Sequence, residues 1–238
     1  MRSTCFSTVR PKAADGCTAP NRMSAALPLD SQTTRFYEDH VRRYGYTCRA
    51  LGFARRSWQE KRFAAVQALG SFHGKRILDV GCGFGDLLAW LRARGIEPDY
   101  TGLDICKPMI ERCRARFGRS AKFMMGDALT FVSDYTWDYI IASGIFGYNA
   151  KDTRKRLQPT LERLYDLSRI GLAVNFLSRR SPSRSPGRFY VHPADVLQFA
   201  LNLTPAVRLD HTYLPNDFTV CLYRTPPWEM ASTATSPA

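Results

Sequence analysis

Alternating glycines after an apolar run constrain the fold of this chain more than any other segment. Residues 77–80 read Ile-Leu-Asp-Val, and glycines follow at positions 81, 83 and 85. The run predicts a buried parallel strand, and the apolar residues at 87–91 predict a helix directly after the glycines. Glycine is needed where the backbone takes positive φ or passes close to a ligand. The segment therefore predicts a strand, a tight turn and a helix whose backbone N–H groups face an anionic part of a nucleoside ligand.

The spacing of these glycines differs from that of two common phosphate-binding loops. The dinucleotide-binding pattern G-x-G-x-x-G would place a glycine where this chain has Asp86. A carboxylate there would repel the charges of a pyrophosphate. The segment also lacks the Gly-Lys-Ser/Thr of a Walker loop. The spacing therefore favours a nucleoside ligand without phosphates, and the alternative is a glycine-rich turn that binds nothing.

Three further predicted strands end in an acid or in glycine. Residues 100–104 end in Asp104, at the place where a carboxylate commonly binds ribose hydroxyls. The alternative role of Asp104 is to cap the helix that begins near Lys107 and Pro108. Residues 122–128 end in Gly-Asp-Ala, and residues 137–144 end in Ser-Gly. Four such strands in this order make a more specific pattern than any one of them.

The whole pattern resembles the class I S-adenosylmethionine-dependent methyltransferases. The resemblance implies an α/β, Rossmann-like fold with a seven-stranded, mostly parallel sheet, helices on both faces and a terminal antiparallel hairpin. It implies S-adenosylmethionine as cofactor, with Asp104 on the ribose, Asp127 on the exocyclic amine of adenine and the end of 137–144 beside the methyl group. The residues expected to bind the cofactor are Asp79, Gly81, Cys82, Gly83, Gly85, Asp104, Ile105, Asp127, Ala128 and Ser143.

Several short phrases are similar to those of a group of bacterial class I methyltransferases. They are Trp58-Gln59 with Arg62-Phe63, Gly83-Phe84-Gly85-Asp86, and residues 142–146, 174–178 and 214–218. Together they extend the resemblance over roughly residues 35–224. The group often has an asparagine directly after the Ile-Phe pair, where this chain has Gly147. The resemblance therefore identifies the cofactor better than the methyl acceptor.

The chain is expected to form one domain with a further segment at each end. Its 238 residues are enough for one sizeable core. Residues 1–33 mix Ser, Thr, Pro and Ala with few acids and no apolar period, which predicts disorder. Their composition also suits an organelle transit peptide, and a third interpretation is that translation starts at Met23. The domain is expected at 34–225, and 226–238 is expected to be a disordered tail.

Periodicity predicts the remaining elements of the domain. Two helices are expected within 35–70, with Ser57 capping the second. The resemblance implies that these helices form a lid over the cofactor. The candidates for this lid are Tyr37, Tyr44, Trp58 and Gln59. The alternative is that these residues form an aromatic face packed on the core. Then come a helix from near Pro159, a strand at 171–177, a solvated or mobile loop at 178–188, a helix at 192–200 and a hairpin of 207–213 with 218–223.

Charge, cysteine and histidine content bear on the partners of the chain. The formal net charge of +13 fits either contact with nucleic acid or a solubilising surface. Seven scattered cysteines without a C-x-x-C pair predict reduced thiols in the cytoplasm. The four histidines are far apart, so no metal site is predicted. Apolar runs fall short of the ~18 residues of a membrane span, so no membrane partner is expected.

The expected reaction is an in-line methyl transfer to an oxygen or nitrogen of a small molecule. Such a transfer needs alignment and a dry cavity, and it needs a base only for a hydroxyl or a protonated amine. The catalytic candidates are Tyr37, Asn175 and His192, with Ser143 and Tyr190 as further acceptor-side residues. No Asn/Asp-Pro-Pro-Tyr follows the fourth strand, which argues against methylation of adenine or of glutamine amides, and no Pro-Cys follows it, which argues against carbon methylation of cytosine. No DNA partner is expected. The alternatives are an RNA methyltransferase, favoured by the charge, and a non-catalytic protein that binds S-adenosylmethionine.

Overall fold

The computed structural model describes residues 31–226 of the chain. The expected N-terminal extension lies outside this range apart from residues 31–33, and so does the expected tail after residue 226. The first helix begins at Ser31, three residues before the expected domain boundary at 34, and Thr33 of this helix is buried. Within this range no helix is long and apolar enough to cross a membrane.

Helices and strands alternate along most of the described chain. The helices are α1 (Ser31–Tyr44), α2 (Arg56–Gln67), α3 (Asp86–Arg92), α4 (Lys107–Phe117), α5 (Thr153–Leu167) and α6 (Pro193–Leu203). The strands are β1 (Arg76–Val80), β2 (Asp99–Asp104), β3 (Lys122–Met125), β4 (Trp137–Ser143), β5 (Ser168–Ser178), β6 (Tyr190–Val191), β7 (Val207–Leu214) and β8 (Asp217–Tyr223). A short 3-10 helix, Gly118–Ser120, follows α4.

All the strands belong to one sheet, in the order β3-β2-β1-β4-β5-β8-β7, with β6 paired to the end of β5. The first five strands are parallel, whereas β8 runs antiparallel to β5 and to β7. This arrangement confirms the expected fold and terminal hairpin. The sheet has eight strands rather than seven, and the additional strand is β6. A strand of two residues is too short for a sequence pattern to predict. The strand order reverses beside β1, and ligands of open α/β sheets bind at such a switch point.

Successive strand residues pack against opposite layers of helices. Leu78 of β1 belongs to an apolar cluster with α5 and α6, whereas its neighbour Ile77 belongs to one with α2, α3 and α4. This follows from the two-residue period of a strand and from the burial of both faces of a parallel sheet. A smaller cluster under α1 includes Val41 and Met109. The core therefore lies on both sides of the sheet, and α1 covers one end of it.

Two helix starts differ from the sequence prediction. The expectation that α5 begins near Pro159 is wrong, because α5 begins at Thr153 and contains Pro159. Proline leaves the carbonyl four residues earlier without its helical partner. Pro159 and Lys155 are both exposed, so water can satisfy that carbonyl. The helix α2 begins at Arg56 without a side-chain cap, so Ser57 does not cap it.

The arginine-rich segment at 179–188 is mostly exposed, as the solvated alternative predicted. Arg188 is the exception, since it is only half-exposed and forms a β-bridge with Tyr148. Its Nη2 donates to the carbonyl of Gly52 at 3.3 Å. Arg188 therefore connects this segment to the loop that precedes α2.

A buried ion pair connects α2 to the terminal hairpin. Nε of Arg62 donates to Oδ2 of Asp217 at 2.7 Å, and Nη2 donates to the same oxygen. The Tyr213 hydroxyl donates to Oδ1 of Asp217 at 3.0 Å. Burial raises the pKa of Asp217, and the Arg62 guanidinium opposes that rise. The pair thus fixes the first part of the domain to its last two strands.

We expect Asp217→Asn to lower the free energy of unfolding by about 3–5 kcal/mol, because it leaves the buried Arg62 without its counter-charge. Urea unfolding followed by circular dichroism measures the change. The matched control is Asp166→Asn, whose side chain is 73% exposed, and it should stay within about 0.5 kcal/mol of the parent. Equal stability of the two variants would show that the pair does not hold the hairpin.

Candidate active site

A deep cavity opens at the carboxyl ends of the central strands and encloses about 1150 Å³, counting its mouth. Its loop wall consists of residues at and after the ends of β1, β2 and β3, among them Asp79, Gly81, Gly83, Asp104 and Asp127. Its lid wall consists of residues from α1, α2, the loop between them and the segment after β4, among them Tyr37, Phe53, Phe63, Gly144 and Phe146. The cavity therefore lies at the switch point of the sheet, beside β1.

The glycine turn after β1 has the backbone that its sequence predicted. Gly81, Gly83 and Gly85 take φ values of 71°, 54° and 70°. A Cβ at Gly81 would lie 2.5 Å from the side chain of Ile145. Positive φ and this close approach both require glycine. The turn therefore packs against the Ile145 side chain and also lines the cavity.

Three N–H groups of the turn are bonded to the protein, so they are not free for an anionic ligand. The N–H groups of Gly81 and of the next residue donate to the Leu103 carbonyl at 2.7 and 3.1 Å. The Gly83 N–H donates to the carboxylate of Asp104 at 2.9 Å. These bonds fasten the turn to the end of β2 and use the donors that would have met a phosphate. An acid, Asp86, then opens α3.

Asp79 occupies the end of β1 and is 3% exposed. It accepts a hydrogen bond from the Tyr100 hydroxyl. Burial raises the pKa of Asp79 to about 7, Tyr100 opposes the rise, and the negative charges of Asp104 and Asp86 add to it. A cation in the cavity would favour the ionised form of Asp79.

Asp104 ends β2 and has both oxygens engaged by backbone donors. Oδ2 accepts from the Gly83 N–H and Oδ1 from the Cys106 N–H, each at 2.9 Å. Burial raises the pKa of Asp104, and these backbone donors oppose the rise. The N-cap of α4 is Cys106 rather than Asp104. Each carboxylate oxygen has a further lone pair, so Asp104 can also accept hydrogen bonds from a ligand.

Asp127 has more partners than the sequence suggested. It forms a buried ion pair with Arg156 of α5, and both side chains line the cavity. Its Oδ1 also accepts from the N–H groups of Leu129 at 2.8 Å and Thr130 at 3.3 Å. These partners leave room for about one more donor on the carboxylate. An exocyclic amine that binds Asp127 as expected would therefore share this carboxylate with the Arg156 guanidinium.

Ser143 lies at the end of β4 and lines the cavity. Its Oγ is buried and has no hydrogen-bond partner among residues 31–226. A buried polar atom without a partner loses the free energy of the hydrogen bonds that it made with water. A polar group of a ligand would supply the missing partner.

Each of the two helices before β1 contributes one of the four lid candidates to the cavity lining, and Trp58 is not among the lining residues. Tyr37 of α1 and Gln59 of α2 line it, and Gln59 Nε2 donates to Asp86 at 3.2 Å. Burial raises the pKa of the Tyr37 hydroxyl, and the charge of Arg188 opposes the rise. Tyr44, a further lid candidate, packs instead with the small cluster under α1.

Two of the three catalytic candidates do not reach the cavity. Asn175 is fully buried on β5, and its Nδ2 donates to the Tyr213 hydroxyl at 3.1 Å. His192 is the N-cap of α6, where its Nδ1 accepts from the Ala194 N–H at 3.3 Å. The hydroxyl of Tyr190 likewise accepts from a backbone N–H within its own loop. Both Tyr190 and His192 line a separate surface groove. Tyr37 is the catalytic candidate that lies at the cavity.

Most residues expected to contact the cofactor line this cavity. Gly85 is the exception, since it lies behind the loop wall against Phe117 and Cys113. The sequence did not single out Arg156, which pairs with Asp127, or Arg62, which lies next to Gly144 of the lid wall. An arginine within a helical sequence carries no signal of its partner, because the partner is distant in the chain.

The donors and acceptors of the loop wall suit S-adenosylmethionine. Buried carboxylates favour a ligand that carries positive charge and hydroxyl groups, and they disfavour phosphates. The unpartnered Oγ of Ser143 is consistent with a polar ligand group nearby. Among residues 31–226 no group of three His, Cys, Asp or Glu side chains could hold a metal ion.

Comparison with protein families and relatives agrees with this fit. Residues 77–167 match a family described as a methyltransferase domain. The chain is 34% identical over 153 residues to "Putative methyltransferase Rv1506c" of Mycobacterium tuberculosis, covering 60% of this chain and 90% of the relative. It is 40% identical over 68 residues to a fatty-acid O-methyltransferase of Mycolicibacterium smegmatis, covering 28% of this chain and 24% of that protein.

Solved structures agree at the level of the fold. Magnesium protoporphyrin IX methyltransferase from Synechocystis PCC 6803, solved with bound S-adenosylmethionine, superposes with a TM-score of 0.60 at 16% identity. The superposition covers 84% of this chain and 99% of that one. With the sheet order, the glycine turn and the family match in agreement, the chain belongs to the S-adenosylmethionine-dependent methyltransferases.

Proposed function

We propose that the protein methylates an oxygen or nitrogen of a small molecule. The observation that carries this proposal is the shape of the cavity, which continues from the acidic loop wall to an aromatic lid wall within one enclosure. The lid wall has the chemistry of a site for an apolar group, with Tyr37, Phe53, Phe63 and Phe146 around it. The Mycolicibacterium relative, a fatty-acid O-methyltransferase by name, supports a small acceptor.

In this proposal the two walls have different tasks. S-adenosylmethionine supplies a methyl group made electrophilic by the sulfonium. Asp79 and Asp104 of the loop wall bind the positive charge and the ribose hydroxyls, and Ser143 contacts a polar group beside the methyl. The lid wall aligns the acceptor and excludes water, which is most of what an in-line displacement requires of a protein. The free cysteines among residues 31–226 fit a reducing compartment, so we place this reaction in the cytoplasm.

A surface groove near Arg188 supports RNA as the second candidate acceptor. The groove includes Lys151, Arg154, Lys155, Arg179 and Arg184 with Phe189 and Tyr190. Clustered cations with aromatic rings among them suit a nucleic-acid backbone and its bases. The chain as a whole carries a formal net charge of +13. We favour the small acceptor because the lid wall is enclosed.

The first test follows a labelled methyl group. Purified protein is incubated with methyl-labelled S-adenosylmethionine and a bacterial extract, which is then separated into metabolites, RNA and protein. We expect the label among the metabolites. Label in RNA that is lost steeply with added salt would favour the second candidate instead. Cofactor binding without transfer to any fraction would favour a non-catalytic protein.

We expect Asp104→Ala to weaken S-adenosylmethionine binding at least about tenfold, because hydrogen bonds to a charged group contribute about 1.5–3 kcal/mol. Isothermal titration calorimetry measures the dissociation constant. Asp99→Ala is the matched control, since Asp99 is exposed at the opposite end of the same strand. Unchanged affinity of the Asp104 variant would remove the proposed ribose role.

We expect S-adenosylmethionine affinity to rise with pH up to about pH 7. The pKa of Asp79 is raised to about 7 by burial, so below that pH the carboxyl is largely protonated in the free protein. A bound cation lowers this pKa, binding therefore releases a proton, and affinity falls by up to about tenfold per unit below pH 7. Calorimetry between pH 5.5 and 7.5 measures the slope. Asp79→Asn should bind more weakly with a flatter profile, and a profile as steep as the parent's would assign the proton elsewhere.

A further inference from the structure

One nitrogen of Arg62 is not used by the buried ion pair. Nε and Nη2 both donate to Asp217, which leaves Nη1 on the other edge of the guanidinium. Nη1 lies 3.2 Å from the position that a Cβ of Gly144 would occupy. Gly144 lines the lid wall, and the guanidinium also stacks at 4.8 Å on the ring of Phe53, another lid-wall residue. Arg62 thus brings a donor with positive charge to the lid wall.

Arg188 adds a second positive charge behind the same wall. Its guanidinium lies 5.8 Å from the ring centre of Phe36 and donates to the Gly52 carbonyl. It forms no ion pair with a carboxylate among residues 31–226, so its charge is not neutralised there as that of Arg62 is. The charge of Arg188 acts on the cavity, because it lowers the pKa of the Tyr37 hydroxyl, which burial raises. Arg188 therefore places a positive charge without a carboxylate partner close to the lid wall, whereas the acids of the cavity lie on the loop wall.

The same wall has no suitable base. Neither histidine nor lysine lines the cavity. The pKa of Tyr37 is raised by burial, so its hydroxyl is a poor proton acceptor near neutral pH. Asp79, with a pKa of about 7, is influenced by Asp104 and Asp86 of the loop wall. Asp79 belongs to the loop wall, where the proposed function assigns it to the positive charge of the cofactor. The lid wall itself therefore offers no base, and an acceptor that is already an anion needs none.

We infer that the acceptor is a carboxylate on a largely apolar body, bound by Arg62 with Arg188 behind it, and that the product is a methyl ester. This inference rests on the proposed function and narrows its substrate class. One carboxylate oxygen accepts from Nη1 of Arg62. The other forms a bond to the methyl carbon as the carbon–sulfur bond breaks, and that electron pair stays on sulfur. No proton is released, so this acceptor needs no base from the lid wall.

The chemical stability of the labelled product tests this class directly. The metabolite fraction from the labelling experiment is treated with mild alkali, which hydrolyses methyl esters to volatile methanol and leaves ethers and N-methyl groups intact. We expect most of the label to become volatile. Alkali-stable label in metabolites would overturn the carboxylate inference while leaving the proposed function standing.

Equilibrium binding gives a second measurement that does not depend on turnover. The melting temperature of the full chain with S-adenosylhomocysteine is measured with 3-phenylpropanoate and, separately, with its neutral amide. We expect the carboxylate to raise the melting temperature and the amide to have little effect. Equal effects of the two compounds, or none from either, would overturn the inference even if no label were transferred in the extract.

Two variants connect the binding to these residues. Arg188→Gln removes the positive charge behind the lid wall and should weaken 3-phenylpropanoate binding about fivefold, whereas Arg188→Lys keeps the charge and should retain most of the binding. Arg62→Lys keeps a charge for Asp217 and should weaken the same binding without changing that of S-adenosylhomocysteine. Arg180→Gln, an exposed change in the same loop, is the control. Full carboxylate binding by both Arg188→Gln and Arg62→Lys would overturn the assigned residues.

Discussion

The hydrogen bonds that fasten the glycine turn to the end of β2 are the constraint on which the rest of the site depends. The Gly81 N–H donates to the Leu103 carbonyl, and the Gly83 N–H donates to the Asp104 carboxylate. These bonds hold two neighbouring strand ends at one level, which brings Asp79 and Asp104 to a common wall. They also engage three N–H groups of the turn, which are then not available to a phosphate. The same bonds therefore position the acids and remove donors that an anionic ligand would use.

The cavity is electrically asymmetric, and the asymmetry follows from which elements form each wall. The loop wall has buried acids with raised pKa values, Asp79 and Asp104. The lid side carries Arg62 on α2 and Arg188 beyond the fifth strand. Arg62 can remain buried because Asp217 of the terminal hairpin neutralises it. A cationic methyl donor on one side and an anionic acceptor on the other would each meet the opposite charge.

The strands and helices of the domain could be predicted well where patterns are local. The run ending at Val80, the strand ending at Asp104 and the hairpin of β7 and β8 follow from apolar periodicity and turn residues. Prediction failed at the start of α5, because a helix can contain a proline when water reaches the carbonyl four residues earlier, which loses its helical hydrogen bond. It also failed at β6, which exists through pairing with β5 rather than through its own sequence.

The sequence by itself determined the fold class, the cofactor family and nearly all of the loop wall. It could do so because strand ends and glycine spacing are short-range features, and parallel strands bring their carboxyl ends to one edge of the sheet. Only the tertiary structure decided the partners of the buried charges: Arg156 for Asp127, and Arg62 for Asp217. It also removed Asn175 and His192 from the site, because hydrogen bonds to residues of other elements or to a helix end engage them elsewhere. Such pairings join distant parts of the chain, and sequence patterns record only which residues are near one another along it.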